Sequence, residues 1–233
     1  LKMKFQIKYF FLIFILLFGL SCNTTKYKKV DNLETSKTHT NTVNYSIIEK
    51  FNASQIKCIL IGKFIDRTDI SKFKDLNKAK IIRKAVYGLI SVKNYDLVKI
   101  SEIDKNLGTL SNQNLLKYYN CDAIITGEIL KFYNYDFISY SNTTVELIIK
   151  LTDKRDKLLW SSRYSGNNSD GSIPFSPVSL ITGVFQVALN DKNETALQVV
   201  DMVLRKIMVS FPEKEIIPKK QFASVNENKE NLN

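Results

Sequence analysis

From Thr143 to Leu151 the chain alternates, with Val145, Leu147, Ile149 and Leu151 at every second position and Thr144, Glu146, Ile148 and Lys150 between them. An extended chain throws successive side chains to opposite sides, so this period of two predicts a strand with one apolar face. Such a strand leaves backbone groups unpaired and its apolar face wet until neighbouring strands and a second layer cover it. The polar run Asp153-Lys154-Arg155-Asp156 follows as a turn, and Lys157 to Tyr164 returns as the hairpin partner.

Other segments supply the rest of a mixed fold. Lys57 to Phe64 is a compact apolar run that reads as a buried strand. Ala79, Ile82, Ala85, Val86, Leu89 and Ile90 recur at three- and four-residue spacing among basic residues, the pattern of a helix with one buried stripe, and Asn94 marks the turn beyond it. Tyr95 to Ile100 reads as a second strand, followed by a short helix with Ser111 as its N-cap and Leu115, Leu116 and Tyr119 on it. Ala123 to Tyr133 reads as a third strand. Residues 166–171 form a loop, Pro177 suits a helix start, and Ala196, Val199, Val200, Val203, Leu204 and Ile207 define a last helix that stops at Ser210-Phe211-Pro212. The fold class that follows is a single α/β (α+β) domain. Its mixed sheet has about five strands including an antiparallel hairpin, packed on two to four helices.

The N-terminus has a different character. Lys2, Lys4 and Lys8 precede the apolar run Tyr9 to Phe18, which meets Gly19, Leu20 and Ser21 before Cys22. This is a signal-peptide layout, and the run is shorter than the roughly 20 residues a membrane-spanning helix needs. Gly19-Leu20-Ser21-Cys22 resembles the lipobox of bacterial lipoproteins, which implies that the Cys22 thiol carries lipid and begins the mature chain. Such lipidation supplies the two or more acyl chains that durable anchoring requires. Residues 1–21 are then the signal peptide, and 22–50, rich in Thr, Lys and Asn, the lipidated cysteine and a flexible tether. The globular domain takes 51–211, and 212–233 is expected to be a disordered polar tail.

A further resemblance rests on Cys121 to Ile129, with its Asp122-Ala123-Ile124-Ile125-Thr126-Gly127 core, and on Leu151-Thr152-Asp153 through Leu158-Leu159-Trp160. These are similar to the helix-to-strand and hairpin signatures of an envelope lipoprotein superfamily that includes the curli-secretion lipoproteins and the lipoprotein activators of penicillin-binding proteins. The resemblance spans about residues 56–209. It implies a small α/β sandwich that recognises other envelope proteins through its surface, without catalysis.

Charge bears on partners. The formal net charge is +11. Without Lys2, Lys4 and Lys8 the chain keeps 31 basic residues against 23 acidic, a charge of +8. The basic residues are scattered and form no groove interleaved with aromatics, so nucleic acid is not an expected partner. A basic surface near anionic headgroups fits them better.

The chemistry is sparse. The single His39 falls in the expected tether, which leaves no histidine pair for catalysis or a multi-histidine metal site. Cys58 and Cys121 are equally compatible with a disulfide and with two free apolar cysteines. Asp66 and Asp69 follow a strand, where ligands are commonly bound, but turn duty is the commoner use of such residues. Glu128 is expected to face outward, and Asp122 to cap or turn. No phosphate-cradling or nucleophile motif occurs, and neither a cofactor, a metal nor enzyme activity is expected.

The expectation is a membrane-anchored, non-catalytic protein of the cell envelope that binds an envelope protein or itself. Its candidate partner surface is aromatic: Tyr133, Tyr135, Phe137, Tyr140, Trp160 and Tyr164, provided that they are not core residues. A surface-displayed ligand-binding lipoprotein is the alternative. An oligomeric secretion pore or an envelope hydrolase fits less well, the former because the candidate insertions at Phe137 to Ile149 and Ser172 to Val187 are short.

Overall fold

The computed structural model describes residues 24–33, 36, 39, 41–49, 51–68, 77–137, 140–168 and 191–214, with backbone alone at 134–137, 140–142 and 191–195. Its strands are β1 (Lys26–Lys29), β2 (Thr42–Ile47), β3 (Cys58–Asp66), β4 (Asp96–Leu97), β5 (Ala123–Phe137), β6 (Tyr140–Asp153) and β7 (Leu158–Asn167). Its helices are α1 (Lys78–Ser91), α2 (Ile100–Asp104), α3 (Asn112–Tyr118) and α4 (Asp191–Val209), besides one 3-10 turn at Ala53–Gln55. The strands form a single mixed sheet in the order β1-β2-β7-β6-β5-β3-β4. The expected α/β domain is therefore present, with seven strands among the described residues.

The sheet has two differently built halves. β3 runs parallel to both β4 and β5, and helices cover it on both sides. Ile59 and Ile61 join the core under α1, while Leu60 and Ile124 join Ile103 of α2 and Leu115 and Leu116 of α3 on the other face. A strand buried on both faces must be apolar at consecutive positions, which is why Ile59-Leu60-Ile61 and Ala123-Ile124-Ile125 are unbroken runs. In the other half β5, β6, β7 and β2 are antiparallel neighbours. There α4 covers one face, and Val145, Leu147, Ile149, Trp160 and Tyr164 pack with its Val199, Val200, Val203 and Ile207.

Local chemistry sets the boundaries. Asn77 caps α1 by accepting from the Lys80 N–H, and Asn94 turns the chain after it at φ 59°. The Ser111 hydroxyl accepts from the Asn114 N–H and starts α3 as expected. Phe64 pairs with Gly127 across β3 and β5, and its ring occupies the space that a side chain at 127 would fill.

Several expectations need correction. The strand expected at Tyr95 to Ile100 shrinks to Asp96–Leu97, because Ile100 already begins α2. The stretch 22–50 is not wholly a tether, since it contributes β1 and β2. Its composition hides two strands because their stabilisation comes from pairing with an existing sheet. β2 docks on β7 from Asn44 opposite Arg163 to Ile47 opposite Trp160, and Val43 is fully buried beneath it. Of the polar tail, residues 212–214 are seen. The Pro212 carbonyl accepts from the Tyr95 hydroxyl and Glu213 pairs with Lys93. The rest of that tail, the expected helix start at Pro177 and the expected insertion at Ser172 to Val187 lie outside the described residues. The expected loop at 166–171 starts two residues later, since Gly166 and Asn167 still belong to β7.

Candidate functional site

The sequence marks six aromatics, and the structure divides them. Trp160 and Tyr164 are fully buried. Trp160 stacks edge-on against Phe211 with centroids 4.9 Å apart, and the Tyr164 hydroxyl accepts from Lys206 Nζ at 2.8 Å. Both share a face of β7 that lies under α4, so they belong to the core and are removed from any partner surface. Core packing is the ordinary fate of such large side chains, and their parity on the strand puts them there.

The other four come together. Tyr133, Tyr135 and Phe137 lie in β5 and Tyr140 in β6, with register pairs Tyr133–Thr144, Tyr135–Asn142 and Phe137–Tyr140. The last β3 partner of β5 is Ile129, and the last β7 partner of β6 is Thr144. Beyond those points the hairpin continues, among the described residues, as a two-stranded arm. A register shift between Ile129 and Lys131 precedes it. Such a bulge changes which side of the strand faces the core: Ile129 is buried in the core under the helices, and after the shift Phe132 takes that role and Tyr133 does not.

At the root of the arm sits a charged cluster on the sheet face opposite α4. Glu146 is fully buried, with Lys131 Nζ 2.7 Å from one oxygen and Arg163 Nη2 2.6 Å from the other. Burial pushes the Glu146 carboxyl up, but the hydrogen bonds from Lys131 and Arg163 and their charges outweigh it and hold the group below the ordinary glutamate range. Arg163 also donates to the Leu33 carbonyl, so the chain between β1 and β2 reaches this face. A neighbouring pair links Glu128 to Arg67 at 3.1 Å, with Lys150 Nζ 3.8 Å away.

Two further acids marked in the sequence, Asp66 and Asp122, have structural partners. Asp66 accepts from the Thr68 N–H and hydroxyl and pairs with Lys78 at 3.2 Å. Asp122 accepts from the N–H groups of Lys57 and Cys58 and pairs with Lys154. Burial opposes ionisation at both, yet these bonds hold both carboxyls below their usual range. A general acid at neutral pH needs the opposite shift. Carboxylates locked by cations and backbone donors serve to fix loops and strands. Asp69 lies outside the described residues, as does Cys22. Among the described residues no group of three His, Cys, Asp or Glu side chains is placed to hold a metal ion, and no helix is long and apolar enough to cross a membrane.

Two features were not settled by the sequence. Cys58 and Cys121, left open there, are joined as a disulfide with Cα atoms 4.7 Å apart, tying the start of β3 to the start of β5. Arg83, on α1, is buried and donates through Nε and Nη2 to the Ile61 carbonyl at 3.0 and 2.8 Å, while Nη1 pairs with Asp104. Odd residues of β3 turn their backbone groups toward β4, as the Lys57 carbonyl does to the Asp96 N–H. Because β4 is two residues long, the Ile61 carbonyl falls beyond it, and Arg83 supplies the donor. A basic residue on a helix flank gives no sequence signal of that duty.

No family model matches the chain, and no curated protein matches it. Solved structures with a similar arrangement include the PelC dodecamer from Paraburkholderia phytofirmans, at 9% identity and a TM-score of 0.44, covering 72% of this chain and 94% of that one. Lipoprotein GNA1162 from Neisseria meningitidis aligns at 17% identity and a TM-score of 0.43, over 66% of this chain and 99% of its own. The hypothetical protein CT253 from Chlamydia trachomatis gives 13% identity and 0.43, over 66% and 94%. At such identities no residue role passes from them to this chain.

Proposed function

We propose that this chain is a lipid-anchored envelope protein, tethered through Cys22, whose α/β domain acts without catalysis by binding another envelope protein or a second copy of itself. The observation that carries the reading is the β5–β6 arm. It runs past the last register pairs with β3 and β7 and gathers Tyr133, Tyr135, Phe137 and Tyr140 into one short hairpin. Aromatic residues carried on a two-stranded hairpin provide large contact area at small entropic cost, which is the composition of interface hot spots. The disulfide adds support, since such bonds persist in oxidising compartments. The locked carboxylates give no group poised for proton transfer.

The test uses the full chain in cells, with a photo-crosslinking amino acid at position 135 or 137 and, as a control, at Val92, an exposed position just after α1. Crosslinks to one defined protein or to a second copy from the arm positions alone support the reading. Equal crosslinking from all three, or none from the arm, removes it. Intact mass and detergent partitioning of the native protein beside Cys22→Ala test the anchor separately. A ligand-binding role displayed at the surface becomes the better account if the anchor is present and the arm is silent.

A further inference from the structure

β1 is a short strand at the sheet edge, four residues long, and every one of its residues is exposed. Three of the four are lysines: Lys26, Lys28 and Lys29. None of the three is in an ion pair among the described residues. The strand is nevertheless held in place. The Lys26 N–H donates to the Asn41 carbonyl, the Val30 N–H donates to the Tyr45 carbonyl, and the Tyr27 hydroxyl donates to the Lys206 carbonyl in the last turn of α4. Lysines on an edge strand deter pairing with other sheets, and that suffices for an edge in isolation. This edge is not isolated in the chain, because Lys26 stands four residues after Cys22. Four extended residues span at most about 14 Å.

We infer that the β1 edge, through Lys26, Lys28 and Lys29, contacts the anionic headgroups of the membrane in which Cys22 is anchored, so that the domain is held flush with the bilayer. The inference rests on the anchor reading. A lipidated Cys22 fixes its own Cα at the membrane surface, and the first lysine is then within about 14 Å of the headgroups whatever path residues 23–25 take. The shielding length at physiological salt is about 8 Å, so a lysine side chain reaching back along that path lies within the field of an anionic leaflet. The flexible tether expected from composition would allow the domain to stand off, whereas a chain that enters the sheet at Lys26 does not.

The experiment takes the full chain as cells process it, reconstituted in vesicles of phosphatidylcholine alone or mixed with phosphatidylglycerol. Lysine acetylation is then followed residue by residue by mass spectrometry. Lys26, Lys28 and Lys29 are expected to label about five-fold more slowly on the anionic vesicles, the equivalent of about 1 kcal/mol per basic residue near such a surface. That protection should disappear in about 1 M salt, where the shielding length is about 3 Å. Lys57, Lys154 and Lys157, exposed at the disulfide end of the sheet, should label alike on both. Equal labelling of the β1 lysines on the two vesicles overturns the inference, and so does equal protection of the control lysines. If the chain fails to float with phosphatidylcholine vesicles, the anchor reading fails instead. Flotation of that unanchored chain on anionic vesicles, with β1 protected, would still uphold the lysine contact.

Discussion

The parallel half of the sheet, β3, β4 and the start of β5, carries helices on both faces, whereas the antiparallel half, β6, β7 and β2, carries α4 on one. In the first half Ile59, Leu60 and Ile61 are all fully buried, and so are Ala123, Ile124 and Ile125. In the second, Val145 and Leu147 flank a buried glutamate that answers two cations. A strand covered twice has no side left to show a partner. On the antiparallel half the side away from α4 carries charged and hydroxyl groups, with Glu146 and Ser161 buried among them, and the β5–β6 arm grows from this half. On the proposed reading, the first half serves as scaffold and the arm of the second presents the partner surface.

The sharpest way to break that division is to ask whether the presenting half is loosely built. Trp160→Ala empties a fully buried site against Phe211, and a loss of about 3–5 kcal/mol in urea denaturation is expected. A loss under about 1 kcal/mol would mean that this half is not a true core. In the scaffold half, Cys58→Ser with Cys121→Ser removes a link between residues 63 apart. About 4 kcal/mol should be lost by the loop-closure estimate, with crosslinks from the arm unchanged in the surviving folded protein. If the crosslinks vanish while the fold is intact, the halves are coupled. Arg83→Met leaves the Ile61 carbonyl without its donors and should cost about 2–3 kcal/mol by the same denaturation.

The smallest expected effect concerns pH. Glu146 has a folded pKa below its ordinary value of 4.5. Its pairing therefore stabilises the fold fully above that value and is lost as pH falls through the lower folded pKa. The wild-type chain should lose stability more steeply than Glu146→Gln below about pH 4.5, read as denaturation midpoints across the acid range. Parallel curves would mean that Glu146 contributes no pH-dependent stability on this face.

The two halves were not equally legible. The run at 57–64, the stripe of α1 and the alternation in β6 each identify an element because burial on a face imposes a period. Ser111 and Asn94 mark helix ends through chemistry that acts over three or four residues. Trp160 and Tyr164 could be assigned a parity but not a face, since a strand pattern does not say which side α4 will cover. β1 and β2 escaped because β2 is held by β7, more than 110 residues away in sequence, and β1 is held by β2. The Glu146 cluster escaped for the same reason: Arg163 and Lys131 approach it across two strand pairings that no local window contains. The aromatic arm was legible as a composition, and its projection became visible only with the ends of β3 and β7.

The pairing of β2 with β7 also fixes an order of assembly. Ser162 reaches the Asn44 carbonyl across 118 residues, and a chain made from its N-terminus completes β2 long before β7 exists. Contacts that distant form late, because closing so long a loop costs entropy before any pairing rewards it. In the interim Val43 has no core to enter. β1 and β2 are thus the first of the described strands to be made, and Thr42–Ile47 waits for β7 before it can pair with the rest of the sheet.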